Sequence, residues 1–233
     1  MSDRKRNARC MWGSVGAMAG ALLFTSACEK DGNNSEPNPQ TASANSATNA
    51  ASTTSAATVN PYFPDGLHPN SAANAIIASK FGAHISAAPA GIGENDPNTV
   101  VCMGDSITTG DYPGPLASMT GKNVVDEGKT GEDSSGGAAR VGAVLAKHRP
   151  AYVCILYGAN DVIGGVPASQ VVANLGAMIS AARARNTIPI VGTLTPMSGA
   201  YSQFATAAED VSAQIRALAG GTSTALADLE VAF

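Results

Sequence analysis

Thr99-Val-Val-Cys-Met-Gly-Asp-Ser-Ile-Thr108 is the stretch of sequence that decides the fold of this chain. Its first half, 99–103, is a short apolar run rich in β-branched residues, which predicts a buried strand. The second half is small and polar, which predicts a strand-to-helix turn. A serine at such a turn points its hydroxyl into the crevice, and its N–H lies where negative charge is favoured. Ser106 is therefore a candidate nucleophile, and its simplest alternative role is to cap the following helix.

Further strands and helices follow the first strand in regular alternation. Strands are predicted over 123–126, 151–157, 188–194 and 225–231, and helices over 134–149, 167–186 and 202–220. Pro167 suits a first helical turn, and Gly220-Gly221 suits a helix end. Such alternation is typical of a parallel sheet covered by helices on both faces. We therefore predict an α/β fold, a three-layer α/β/α sandwich with a five-stranded parallel sheet.

A loop and a helix precede the first strand. Asn70 or Ser71 can cap a helix that runs to about His84. The apolar residues on its sheet-facing side are Ala73, Ile76, Ile77 and Phe81. A linker rich in Gly, Ala and Pro occupies 86–98. The domain is predicted to span 61–233, with 61–85 as this loop and helix, 86–98 as the linker and 99–233 as the remaining fold.

His68 is the candidate general base among the three histidines. Asp65 lies three residues before it in a turn-rich loop, which lets the carboxylate reach the far ring nitrogen. An Asx-turn is the alternative role for Asp65, and the two roles are compatible. His84 lies near a helix end, and His148 lies at a helix C-terminus where a cation is favoured for structural reasons. We therefore predict that Asp65 orients His68.

Three blocks of this sequence resemble motifs of the SGNH (GDSL) hydrolases. Gly104–Thr108 resembles the nucleophile motif, Gly158-Ala159-Asn160-Asp161 the oxyanion-hole block, and Asp65-Gly66-Leu67-His68-Pro69 the acid–base block. In the family the acid–base block comes last, whereas here it precedes the nucleophile. The resemblance implies a circularly permuted fold, in which new termini open before the acid–base loop and the old termini are joined through 86–98.

The resemblance also implies an oxyanion hole built from three donors, which stabilises a tetrahedral intermediate. The donors are the Ser106 N–H, a glycine N–H after the second strand, and the Asn160 side-chain amide. Gly131 aligns with the family's glycine, and Gly128 is a turn glycine and the second candidate. Asp126 stands where the family commonly has Asn, which leaves the local hydrogen bonding open. Asn160 also fits ordinary turn chemistry, but its place in Gly-x-Asn-Asp favours the oxyanion role.

The function that the resemblance implies is a serine esterase acting on carboxylic esters through an acyl-enzyme. Short segments around the site indicate small acyl groups. The alternatives are an acyltransferase or deacetylase acting on a cell-envelope glycan, and a non-catalytic surface lipoprotein that binds a glycan. No cofactor is expected. No metal site is predicted either, because the histidines and cysteines do not cluster at ligand spacing.

The first 60 residues are predicted to be an export signal and a tether, and not part of the folded domain. Residues 1–27 combine a basic start with the apolar run Met11–Phe24, which is typical of a signal peptide. Cys28 is the predicted lipidation site of a bacterial lipoprotein, although Thr25 departs from the usual Leu. Cleavage after Ala27 by ordinary signal peptidase is the alternative. Residues 28–60, rich in Ser, Ala, Asn and Thr, predict a disordered tether that holds the domain outside the cytoplasm.

Charge and cysteine content limit the partners. Residues 28–233 carry 10 Lys/Arg and 17 Asp/Glu, a net charge of −7, which argues against nucleic acid. The expected partner is a small-molecule or glycan ester, the expected membrane contact is the N-terminal lipid alone, and a monomer is expected. Cys102 and Cys154 lie in strand-like runs, where buried free thiols are the default and a disulfide between them is the alternative.

Overall fold

The computed structural model describes residues 59–233, so the predicted signal peptide, the lipidation site Cys28 and the tether up to residue 58 lie outside the described residues. A five-stranded parallel sheet in the order β2-β1-β3-β4-β5 forms the centre. The strands are β1 (Asp96–Gly104), β2 (Asn123–Gly128), β3 (Pro150–Leu156), β4 (Ile188–Gly192) and β5 (Ala225–Ala227). The predicted α/β fold with a five-stranded parallel sheet is therefore confirmed.

Helices cover both faces of the sheet. They are α1 (Ser71–Gly82), α2 (Pro113–Thr120), α3 (Ser134–His148), α4 (Ala159–Ile163), α5 (Ala168–Arg183) and α6 (Ala205–Thr222), with 3-10 turns over Gly199–Phe204 and Glu230–Ala232. From β1 the chain moves to β2 at one edge of the sheet, and every later connection moves toward the other edge. Because crossovers between parallel strands are right-handed, α2 lies on one face of the sheet and α3, α5 and α6 lie on the other. Helix α1 packs beside α2. None of the helices between residues 59 and 233 is long and apolar enough to span a bilayer.

Local signals in the sequence explain where α1 begins and which side it buries. The side chain of Asn70 caps α1 by accepting a hydrogen bond from the N–H of Ala73 at 3.0 Å. Ile77 and Phe81 are fully buried, as predicted for the sheet-facing side, whereas Ile76 is only half-buried. Phe81 stacks on Tyr112 at a centroid distance of 5.2 Å. This contact joins α1 to the start of α2.

The predicted end of the last strand is wrong. Strand β5 stops at Ala227 instead of 231, and the chain then turns into the 3-10 segment Glu230–Ala232. The hydroxyl of Thr193 accepts hydrogen bonds from the N–H groups of Leu229 at 2.8 Å and Glu230 at 3.0 Å. These bonds replace strand pairing, and they explain why an apolar sequence leaves the sheet early.

The predicted bounds of the helices around β4 also need correction. Pro167 lies just before α5 rather than in its first turn, with ψ 139. Helix α6 begins at Ala205 and runs through Gly220-Gly221 to Thr222, where Ser223 ends it in a left-handed conformation with φ 51. Glycines weaken a helix by roughly 1 kcal/mol each relative to alanine. Packing of the buried face of α6 against the rest of the domain outweighs that cost.

Two short helices, α2 and α4, were not predicted from the sequence. Helix α2 lies between β1 and β2, and α4 forms directly after β3. The sequence of α2, Pro-Gly-Pro-Leu-Ala-Ser-Met-Thr, has two prolines and a glycine, so no helical periodicity was recognisable. Pro113 at its first position needs no N–H partner, which makes this start compatible with a helix.

Cys102 and Cys154 are register partners on β1 and β3. Both are fully buried, and both thiols are free. Burial raises the pKa of the Cys154 thiol well above its ordinary value. The expectation of buried free thiols is therefore confirmed, and the disulfide alternative is not.

Candidate active site

The predicted site residues meet at the carboxyl ends of neighbouring strands. Ser106 follows β1, Gly131 follows β2, and Asn160 lies in the first turn of α4 after β3. The chain connections reverse direction across the sheet at β1 and β3, and ligands of such sheets bind in the crevice at that point. The fold therefore gathers residues that are far apart in the sequence.

A hydrogen-bonded chain joins Ser106, His68 and Asp65. The Nε2 atom of His68 lies 3.0 Å from the Oγ of Ser106. The Nδ1 atom lies 2.6 Å from Oδ2 of Asp65. With its proton on Nδ1, the imidazole donates to Asp65 and leaves Nε2 free to accept the serine proton. This is the geometry of a nucleophile, a base and an orienting carboxylate.

Asp65 combines the two roles that the sequence left open. Its Oδ1 accepts hydrogen bonds from the N–H groups of Leu67 at 2.9 Å and His68 at 2.7 Å, which is an Asx-type turn. Its other oxygen holds the imidazole. Partial burial acts to raise the pKa of Asp65, but the hydrogen bonds from His68 and Leu67 outweigh it, and the pKa lies below its ordinary value. The carboxylate therefore stays charged beside His68.

The loop that carries His68 is clamped to the segment after β4. The N–H of Ser198 donates to the carbonyl of Gly66 at 2.9 Å, and the N–H of Asn60 donates to the Ser198 hydroxyl at 3.1 Å. Gly66 has φ +89, and a Cβ atom there would lie 2.1 Å from the Ser198 carbonyl oxygen. Only glycine satisfies both conditions. Ser198 was not recognised from the sequence, because nothing local to it signals a contact with residue 66.

The other two histidines are held elsewhere. His84 Nε2 lies 2.9 Å from the carbonyl oxygen of Leu226. His148 Nε2 lies 2.7 Å from Oε1 of Glu127, near the end of α3. Neither ring is hydrogen-bonded to Ser106. Of the three histidines, the structure thus brings only His68 to the serine.

The Asn160 side chain contacts the chain neighbours of the two other residues predicted to bind an oxyanion. The Asn160 amide donates to Oδ2 of Asp105 at 3.3 Å and to the carbonyl of Glu132 at 3.1 Å. It therefore contacts both the residue before Ser106 and the residue after Gly131. Gly131 has φ +77 and open space where a Cβ would be.

Gly128 and Asp126 shape the turn that leads to Gly131. A Cβ at Gly128 would lie 2.7 Å from the backbone nitrogen of Thr109, so this glycine permits close packing of two turns. Asp126 accepts hydrogen bonds from the N–H of Gly110 at 2.6 Å and from that of Gly128 at 2.8 Å. The carboxylate thus ties the loop after Ser106 to the end of β2.

Asp105 is the buried acid of the site, with 1% of its surface exposed. Burial raises its pKa to about 6, although the hydrogen bond from the N–H of Ile107 acts in the opposite direction. The unfolded chain releases this proton near the ordinary value of 3.8. Between these two values the native state binds more protons, so the free energy of unfolding falls as pH rises through this window.

Asp105→Asn is expected to stabilise the protein at neutral and higher pH. A pKa of about 6 instead of 3.8 corresponds to roughly 3 kcal/mol once the carboxyl must ionise, and loss of the bond from Asn160 offsets part of it. We expect a gain of about 2 kcal/mol in the free energy of unfolding near pH 8, shrinking toward zero near pH 4. Urea titrations at both pH values measure this gain. Exposed Asp210→Asn is the control, and an equal gain at both pH values for Asp105→Asn would contradict the assignment.

Residues 59–233 contain no group of three or more His, Cys, Asp or Glu side chains placed to hold a metal ion. Two cavities are lined by other residues. One of about 370 Å³ lies at the amino ends of β4 and β5, and one of about 220 Å³ lies beside Met197 and Ala208. Ser106 and His68 line neither cavity, and 42% of the His68 side chain is exposed. The acid–base side of the candidate site is therefore open to solvent.

Comparison with known proteins agrees with this arrangement. Esterase TesA of Pseudomonas aeruginosa is 35% identical over 98 residues, covering 37% of this chain and 49% of TesA. The chain thus spans about half the length of this curated relative. A GDSL-like lipase from Bacteroides thetaiotaomicron has a TM-score of 0.51 at 21% identity, over 67% of this chain and 78% of that one. A lipolytic G-D-S-L family protein from Veillonella parvula has a TM-score of 0.51 at 21% identity, over 57% and 78%.

The two solved structures show the same fold, and a family profile shows the relationship. The profile of the GDSL-like Lipase/Acylhydrolase family matches residues 102–233, which is more than half of the chain. The matched region includes Ser106, Gly131 and Asn160, whereas Asp65 and His68 lie upstream of it. The chain therefore belongs to the GDSL-like lipase/acylhydrolase family, the SGNH hydrolases.

Proposed function

We propose that this protein is a serine esterase that hydrolyses carboxylic esters with short acyl chains through an acyl-enzyme. One observation carries the proposal. His68 lies between Ser106 and Asp65, with Nε2 3.0 Å from the serine oxygen and Nδ1 2.6 Å from the carboxylate. This is the arrangement in which a base removes the serine proton while a carboxylate stabilises the resulting imidazolium. Family membership and the similarity to an esterase support the same reaction class.

The proposed reaction has two halves. The Ser106 oxygen forms a bond to the ester carbonyl carbon while Nε2 of His68 takes the hydroxyl proton. The carbon–oxygen bond to the leaving alcohol then breaks, and the proton on Nε2 moves to that oxygen. Water attacks the acyl-enzyme with the same base, and the acid and free serine are released. Asp65 stays ionised throughout, which its lowered pKa supports.

We propose that three donors bind the negative charge that develops on the ester carbonyl oxygen. They are the N–H groups of Ser106 and Gly131 and the Asn160 side-chain amide. A fixed donor in such a place typically contributes about 10²–10³ in rate. The contacts of Asn160 support this assignment: the bond to the Glu132 carbonyl holds the amide, and the second N–H, whose bond to Asp105 is 3.3 Å long, turns to the oxyanion in the proposed reaction.

The open acid–base side of the site supports small acyl groups. The side chains of Asp65 and His68 are 51% and 42% exposed, and neither cavity described above includes the serine. A long acyl chain needs a deep apolar pocket to bury its methylenes. A short acyl group needs little more than the three polar donors and the mouth of the crevice.

We also propose that the domain, residues 61–233, is a circular permutation of the family's order. The acid–base loop stands before the nucleophile in the sequence, yet its histidine reaches that serine. The ring of Phe233 packs against Tyr62 at 5.3 Å and against Phe63 at 4.9 Å between centroids. The residues after β5 therefore lie beside the start of the acid–base loop, where the family's chain would run directly into it. The predicted linker 86–98 then joins α1 to β1, and its last three residues already belong to β1.

The proposed location is outside the cytoplasm. We propose that residues 1–27 are a signal peptide, that Cys28 is lipidated, and that residues 28–60 tether the domain to a membrane through this lipid alone. The proposed substrate is a small-molecule or glycan ester, acted on by a monomer. The net charge of −7 on residues 28–233 argues against a nucleic-acid partner.

Hydrolysis of p-nitrophenyl esters with acyl chains from two to sixteen carbons tests the proposal. We expect kcat/KM to be highest for the short acyl groups and to fall by about 10-fold or more for the long ones. The same assay with added alcohols or glycans, followed by product analysis, separates hydrolysis from acyl transfer. Transfer as the dominant outcome would replace hydrolase by acyltransferase. A folded chain that cleaves no ester at all would contradict the proposal.

A further inference from the structure

The Asn160 amide takes its position from a residue outside the family motifs quoted above. Its Nδ2 donates to the backbone carbonyl of Glu132 at 3.1 Å, and Glu132 directly follows Gly131. The position of Glu132 therefore affects one of the donors assigned to the oxyanion, the Asn160 amide. Whatever holds Glu132 in place also holds that amide.

The side chain of Glu132 is held by two partners from different elements. Nε of Arg140 in α3 donates to both carboxylate oxygens, at 2.9 and 2.8 Å, and the Tyr157 hydroxyl donates to Oε2 at 2.7 Å. Arg140 also donates to the Tyr157 oxygen at 2.8 Å, which closes a ring of three side chains. Only 14% of each charged side chain is exposed. Burial acts to raise the pKa of Glu132, but the bonds from Arg140 and Tyr157 outweigh it and lower that pKa, so the carboxylate stays charged.

Helix α3 leaves space for this cluster. A Cβ atom at Gly136 would lie 2.8 Å from Cγ of Glu132, and one at Gly137 would lie 2.7 Å from the Tyr157 ring. Two consecutive glycines near the start of a helix weaken it by roughly 1 kcal/mol each. The space they create lets the carboxylate and the phenol approach the helix closely, which accounts for this otherwise unfavourable pair.

The geometry points to Glu132, Arg140 and Tyr157 as positioning residues for the oxyanion donor Asn160. This inference rests on the proposed function, since an oxyanion forms only if the protein hydrolyses esters. None of the three side chains forms a bond to the substrate or transfers a proton in the proposed reaction. They act through the Glu132 backbone, whose carbonyl accepts the hydrogen bond from the Asn160 amide.

The expected effect is on kcat, and it depends on Asn160. Misplacing a donor by about 1 Å can cost up to about 100-fold in rate. We expect Glu132→Ala to lower kcat by about 10–100-fold with little change in KM, and Arg140→Ala to do the same. In an Asn160→Ala background, Glu132→Ala should lower kcat by no more than about 2-fold, because the amide that it positions is already absent.

Two controls separate positioning from general destabilisation. Glu94→Ala removes an ion pair with Arg149 of 3.1 Å that has no contact with the site, and it should leave kcat unchanged. Glu132→Gln keeps acceptor and donor atoms for Arg140 and Tyr157, and it should recover most of the rate lost in Glu132→Ala. The side-chain NH₂ resonances of Asn160, observed in the intact chain by nitrogen-edited NMR, should shift in Glu132→Ala and stay in place in Glu94→Ala.

The outcomes distinguish this inference from the proposed function. Equal losses from Glu132→Ala with and without Asn160, or an unshifted Asn160 NH₂ resonance, would overturn the positioning role while leaving the esterase proposal intact. If wild type shows no turnover, the proposed function fails, and the resonance alone decides whether Glu132 positions Asn160. If Glu132→Ala unfolds, Arg140→Lys takes its place in the same cycle, because lysine lacks the planar guanidinium fork with which Arg140 reaches both Glu132 and Tyr157.

Discussion

Ser106→Ala is expected to reduce ester hydrolysis by about 10⁴–10⁶-fold while leaving the fold intact, because the variant has no nucleophile. The hydroxyl lies at the open end of β1, where its hydrogen bond to His68 contributes little to packing. The loss should appear in kcat for every acyl length, because all substrates share the attacking oxygen. Steady-state kinetics measure the loss, and circular dichroism with a thermal melt verifies the fold.

Matched substitutions serve as controls for this expected loss of activity. Ser118→Ala removes an exposed serine hydroxyl of α2 and should leave the rate unchanged. His68→Ala should cost about as much as Ser106→Ala, because members of such a triad act as a unit. His84→Ala and His148→Ala should retain activity, since their rings bind Leu226 and Glu127 instead of the serine. Near wild-type hydrolysis by folded Ser106→Ala would rule out this nucleophile.

Removing the residues before 99 is expected to abolish both activity and solubility, whereas removing residues 1–58 should affect neither. The longer deletion takes away Asp65 and His68. It also removes Phe63, Ile77 and Phe81, which are fully buried in the intact domain. Burial of each large apolar side chain contributes roughly 1.5–3 kcal/mol, and a typical domain is stable by only about 5–15 kcal/mol.

Fragments 59–233 and 99–233 provide the comparison. The first keeps Asn60, whose N–H binds Ser198 and so helps to clamp the acid–base loop. Soluble yield, thermal unfolding and ester hydrolysis are measured for both. A second pair, 59–233 with and without His68→Ala, separates loss of the base from loss of the fold, because that substitution leaves the buried apolar residues in place.

The sequence was sufficient to predict the strands and the catalytic candidates, because both depend on local signals. The apolar runs at 99–103 and 151–157 mark β1 and β3 to within three residues at each end. Ser106 and Asn160 follow those runs directly, so the parallel order of strands brings them together. Asp65 and His68 are close in sequence, and their spacing alone suggested the hydrogen bond.

The remaining features depend on contacts between distant residues, which no local pattern records. Thr193 shortens β5 by binding residues 229 and 230. Glu132 precedes α3, Arg140 lies within it and Tyr157 follows β3, so nothing near any one of them indicates the ring that they form. The clamp at Ser198 likewise shows only in the folded chain, where Gly66 passes within contact of its carbonyl.

In the permuted domain that we propose, the loop carrying Asp65 and His68 is the acid–base part of the Ser106 site. We test this by measuring hydrolysis by a relinked chain in which residues 86–233 come first and 61–85 follow Phe233 through a short Gly/Ser linker. Tyr62 already lies against Phe233, with ring centroids 5.3 Å apart, so a few linker residues suffice. We expect the relinked chain to hydrolyse short-chain esters and to lose that activity on His68→Ala. Hydrolysis by a folded 99–233 fragment, without Asp65 and His68, would contradict this proposal.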